Sequence, residues 1–178
     1  MTSIFRKTTL IVFVLTTLIS TQTHADKRKF QIDILVFSQD TTTTEMIDAP
    51  ATPLSWPKGL IQLGQKSTKE LSTSSSALLE AASILARKPQ YSILKHISWT
   101  QTIASERSGK PVRIQGNGVN GFVQLKRGHN LHLTIGMEYS DQMTGNMLTI
   151  SEQRRILFNQ KHYFDHPKFG IIASVSPL

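Results

Sequence analysis

Four histidines, His129, His132, His162 and His166, with Asp165 beside the last, are the side chains best suited to ligate a metal ion. A zinc site needs three or four such ligands converging at about 2 Å. His129 and His132 straddle the end of a hairpin pattern, where a spacing of three in a strand sends side chains to opposite faces. His162 and His166 become near neighbours only in a tight turn. The spacing therefore predicts no metal site, and His166 reads as a hydrogen-bonded turn residue held by its backbone and by Pro167. Gly116-Asn117-Gly118-Val119-Asn120-Gly121 matches the dinucleotide fingerprint letter for letter. That fingerprint must open a helix whose amides hold a pyrophosphate, whereas Phe122 to Lys126 alternates as a strand does. It predicts a glycine-rich connection between strands and no nucleotide cofactor. A serine–histidine–aspartate set can assemble from distant segments, but no Gly-x-Ser-x-Gly elbow is present. No carboxylate pair stands in a clearly apolar setting that would separate its two pKa values. The expectation is no catalytic residue and no cofactor.

Binding chemistry is better supplied. Tyr91, Trp99, Tyr163 and Phe164 could present flat rings to sugars, with lysines and arginines nearby for carboxylates. Core packing is the competing use of any one of them. Arg154 and Arg155 are adjacent in a strand pattern, so their side chains leave on opposite faces and only one can readily lie inside. The other is left for an acidic partner. The expected ligand contacts are Arg154, Arg155, Trp99, Tyr163 and His166.

The chain of 178 residues carries 20 Lys+Arg against 12 Asp+Glu and has no cysteine. Met1–Ala25 reads as a secretory signal: Arg6 and Lys7, an apolar core from Thr8 to Ile19, then small residues at Thr23 and Ala25 for cleavage before Asp26. A membrane span needs roughly 20 apolar residues, so this stretch is short for an anchor, and no later run is long enough. Cleavage would remove two basic residues and no acid, leaving 18 against 12 and a net charge of +6. Such a surplus favours anionic polymers. Export disfavours nucleic acid and points to an acidic wall or membrane-adjacent partner. The absence of cysteine excludes disulfides, thiolate chemistry and a lipid-modified cysteine anchor. A periplasmic protein of one domain, residues 26–178, is predicted.

These groups must be positioned by a fold that is mostly strands. Lys29 to Phe37 is apolar and β-branched, with Asp33 marking a part of one face that is not deep core. Residues 38–76, with Pro50, Pro53, Pro57 and a Ser/Thr run at 72–76, read as a long irregular connection. Trp56 is the exception there, a ring expected to pin the loop to something. Ala77 to Lys88 is the one convincing helix, with Leu78, Ala81, Ala82 and Leu85 forming a stripe. Ser75 or Ser76 can cap its start, and Pro89 stops it. Tyr91 to Trp99 alternates as a strand, Thr100 to Lys110 is loop-like, and Val112 to Gln115 is a short strand. Val119 to Lys126 and Leu131 to Tyr139 form a hairpin across Arg127-Gly128-His129-Asn130. In its second arm Leu131, Leu133, Ile135 and Met137 point one way, and His132, Thr134 and Glu138 the other. Met147 to Phe158 and Gly170 to Val175 complete about six strands. The predicted class is α+β: a mainly antiparallel sheet with one main helix packed on one face.

Four segments together resemble the CsiV family. They are Phe30 to Phe37, Leu94 to Gln101, Arg127 to Leu133, and Arg154-Arg155 through Tyr163-Phe164-Asp165-His166-Pro167-Lys168-Phe169-Gly170. The resemblance implies a periplasmic protein that binds peptidoglycan in cell-wall assembly. It also implies association with the lipoprotein activator of a bifunctional penicillin-binding protein, and it supplies no catalytic residue. The alternatives are a protein-interaction subunit of a larger envelope complex with no glycan affinity, and a small metal-dependent wall hydrolase.

Overall fold

The computed structural model describes residues 27–40, 53–65, 67–105, 107–141 and 144–178. The expected signal segment and the Thr41–Thr44 tract lie outside the described residues. In chain order the elements begin with β1 (Lys27–Gln39), β2 (Thr68–Leu71), helix α1 (Leu79–Ala86), β3 (Tyr91–Ala104) and β4 (Arg107–Ser108). They continue with β5 (Val112–Gly116), β6 (Val119–Arg127), β7 (Leu131–Ser140), β8 (Met147–Ile156), β9 (Lys161–His166) and β10 (Phe169–Pro177).

The strands form two sheets where one of about six strands was expected. The first runs β2-β3-β1-β10-β9; the second runs β4-β6-β7-β8, with β5 also paired to β6. Every strand ladder is antiparallel. Alternation dictates which face meets which. Ile32, Ile34 and Val36 of β1 pair with Val175, Ala173 and Ile171 of β10. They belong to the same apolar core as Leu133, Ile135 and Met137 of β7 and Val123 and Leu125 of β6. The inner faces of both sheets thus bury one another's apolar side chains, which is the arrangement that hides two half-apolar sheets at once. The hairpin predicted across Arg127 to Asn130 is present, with Val123 opposite Ile135 and Leu125 opposite Leu133.

The expected α+β class gives way to a mainly β molecule with a single helix of eight residues among those described. The helix is shorter than predicted and buries none of its own residues; the deeply buried stripe residue, Leu78, precedes it. Its caps also differ from expectation. Ser76 Oγ accepts from Leu78 N at 3.1 Å, and Ser72 caps the 3-10 turn Thr73–Ser75 instead. Within residues 38–76, Ser38 and Gln39 prolong β1 and Thr68–Leu71 forms an edge strand on β3. Strand β3 overruns its predicted end, because Thr100 and Gln101 continue the pairing with Gln31 and Phe30.

Asp33 is fully buried on the outer face of the first sheet, where a less enclosed site was expected. Gln31 Nε2 donates to its carboxylate at 3.1 and 3.3 Å and to Ser75 O at 2.9 Å, which ties the 3-10 turn to the sheet. A buried carboxylate must be met by donors in this way or its desolvation goes uncompensated. The glycine fingerprint is a two-residue hairpin turn: Asn117 and Gly118 both take positive φ, 48° and 78°, between β5 and β6. That is the backbone a tight antiparallel reversal requires, and no helix follows it.

Candidate functional site

The five side chains expected to contact a ligand do not converge. Trp99 is fully enclosed in the core, opposite Ile32, and offers no ring face to a ligand. Phe164 is enclosed likewise. Arg154 lies where the edge strands of the two sheets meet. Its Nη1 donates to Tyr163 O on β9 at 2.8 Å, and its guanidinium sits 4.8 Å over the Phe164 ring. A bidentate pair with Glu152 completes its coordination. Arg154 therefore clips β8 to β9. Arg155, the next residue, leaves on the opposite face and has no partner among the described residues.

Tyr163 is on the outer face of the first sheet, exposed, with its ring stacked on Phe37 at 6.1 Å. Its hydroxyl donates to Asp165 Oδ1 at 2.7 Å. Burial, followed by that hydrogen bond, pushes the phenol above its ordinary pKa, so it stays protonated. His166 ends β9 and leans on Phe169 at 5.2 Å, while its Nδ1 accepts from Lys168 N at 3.3 Å. Burial lowers its pKa, and the Asp165 charge opposes that. The expectation of a hydrogen-bonded residue at the turn fits this environment. Nearby, the ends of β1, β3 and β7 enclose a cleft of about 490 Å³ lined by Gln39, Asp40, Gln90, Asn117, Tyr139 and Lys168, among others.

The outer face of the second sheet sets Arg155, one of the expected contacts, among residues that were not expected to contact a ligand. Trp56 is laid against it, 5.9 Å from Phe122, with Arg113 5.5 Å over the indole, and remains 39% exposed. Leu54 packs beside it, where a side chain on Gly136 would collide with both Leu54 and Phe122. Below this aromatic corner the ladder places Gln124, Thr134 and Gln153 in one cross-strand row. The next row is Lys126, His132 and Arg155. Side chains directly opposite in such rows stand about 5 Å apart. Glu138, the acid on this face, is six residues along β7 from His132, roughly 20 Å at strand rise. The signal was present in the sequence: His132 and Thr134 were expected on the outward side of this hairpin, but the pairing that adds Arg155 to their row was not visible.

The model of one protein family, described as "Peptidoglycan-binding protein, CsiV", matches residues 43–178. No curated relative and no solved structure matches the chain.

Proposed function

The chain belongs to the CsiV family of peptidoglycan-binding proteins, and from that membership we propose that it is a non-enzymatic periplasmic accessory of cell-wall assembly. It binds peptidoglycan directly and acts with the lipoprotein activator of a bifunctional penicillin-binding protein. The observation that carries this reading is the family match, which spans β2 to β10. The surplus of basic side chains supports it, because the stem peptides of the wall bear carboxylates. So does Arg155, exposed on the second sheet; Tyr163, exposed, and His166, half-exposed, stand apart from it on β9 of the first. Arg154 and Trp99 serve the reading indirectly, by clipping β8 to β9 and by filling the core.

Co-sedimentation with purified sacculi tests it. The protein is expected in the pellet at low salt, with no muropeptides released into the supernatant. A protein that stays in solution removes the polymer-binding half. Release of muropeptides would make it a hydrolase. Cross-linking in cells is expected to recover the lipoprotein activator together with this chain.

A further inference from the structure

We propose that the outer face of the second sheet is the glycan-binding surface, with Lys126, His132 and Arg155 receiving carboxylates of the wall polymer and Trp56 packing on a sugar ring. This rests on the reading above and assigns it to one face of the molecule.

The first argument is electrostatic. Lys126 is opposite His132, and His132 is opposite Arg155, in a single cross-strand row. The row thus holds the two permanent cations Lys126 and Arg155 with the imidazole of His132 between them, and like charges gathered on one ladder disfavour one another. The usual relief is an interleaved acid, and none of the three has one among the described residues. Lys126 and Arg155 are two strand spacings apart, roughly 10 Å. An anionic polymer with repeated carboxylates would satisfy the row as no single small anion could.

The second argument is the aromatic corner. A loop tryptophan could have been buried between the sheets; here it is held on the outside by Phe122 and Arg113 and stays partly exposed. The Phe122 row is four residues from the Lys126 row, roughly 14 Å along β6. Between them lie Gln124, Thr134 and Gln153, amides and a hydroxyl of the kind that hydroxyl and acetamido groups pair with. A flat ring at one end, hydrogen-bonding groups in the middle and cations at the other end match a glycan strand carrying acidic peptides. On the first sheet α1 and the 3-10 turn lie over the outer side of β3, which lacks that clearance.

The test is sacculus co-sedimentation of the full protein and three variants. Lys126→Ala with Arg155→Ala is expected to bind roughly tenfold more weakly, the loss of two charge-assisted contacts. Trp56→Ala is expected to weaken binding severalfold with unchanged salt dependence. Lys69→Ala with Lys161→Ala removes the same charge from the outer face of the first sheet and is expected to bind as the parent does. Equal loss in both double variants would mean diffuse charge attraction and overturn the assignment. Parental binding by the Lys126/Arg155 variant would also overturn it, while leaving peptidoglycan binding intact. Failure of the parent protein itself to pellet would instead sink the functional reading. In a parallel arm with phosphatidylglycerol vesicles, a loss confined to the vesicles would reassign the row to a lipid surface.

Discussion

Arg154 and Arg155 differ by one position and by everything they touch. Arg154 covers Phe164 and reaches a backbone carbonyl on the neighbouring sheet's edge strand, whereas Arg155 stands alone on the outer face. The pair of Arg154 with Glu152 is more than a third exposed on both sides and contributes little by itself. The cation–π contact and the hydrogen bond to Tyr163 O together contribute about 1–2 kcal/mol. Arg154→Ala is therefore expected to lower the urea midpoint by that equivalent, and Arg155→Ala to leave stability within about 0.5 kcal/mol. Equal destabilisation by the two substitutions would contradict the clip. Alternation alone announced that the two arginines part company. What Arg154 meets could not be read, because Phe164 and Tyr163 lie on a strand, β9, whose six residues include only two apolar side chains. Period-two reasoning needs a longer or more apolar run than that.

Histidines beneath and beside the outer elements couple the fold to pH. His96, on β3, bonds Ser76 Oγ at 3.0 Å where the chain enters α1, and burial lowers its pKa against the opposing charge of Asp33. His166 at the end of β9 is lowered for the same reason, with Asp165 opposing. Unfolded, both protonate near 6.5. The unfolded chain thus takes up protons first, so their contribution is intact above that value and is lost as pH falls through the folded-state values. Urea midpoints measured from about pH 7.5 down to about pH 5 are expected to fall, and His96→Gln with His166→Gln to flatten part of that slope. An unchanged slope in the double variant would remove the histidines from the account. These elements were only partly legible. The β6–β7 hairpin declared itself through strict alternation and a turn of Gly128 and Asn130. The end of β3 did not, because Thr100 and Gln101 are polar yet buried by their neighbours in the ladder.

The division into two sheets follows from the whole chain and from no segment of it. In the longer strands the apolar face was evident from spacing, but spacing does not say which other face it will meet. β3 and β4 follow one another closely in the chain, yet belong to different sheets. That division leaves the molecule asymmetric: helix and 3-10 turn over the first sheet, and a largely polar, basic surface with one tryptophan on the second. Binding to an acidic polymer through such a face must be sensitive to salt in a particular way. Screening length falls from about 10 Å at 0.1 M to about 3 Å at 1 M. The cations of the Lys126 row are spread over roughly 10 Å, so at high salt they cease to act on the polymer as a set. Sacculus binding by the parent protein is therefore expected to drop steeply over that range. The Lys126/Arg155 variant should begin lower and change less, while Trp56→Ala should begin lower yet keep the parental slope, since ring packing is not screened. Parallel curves for the parent and the Lys126/Arg155 variant would show that the row does not meet the polymer's charge, wherever on the surface the sugars sit.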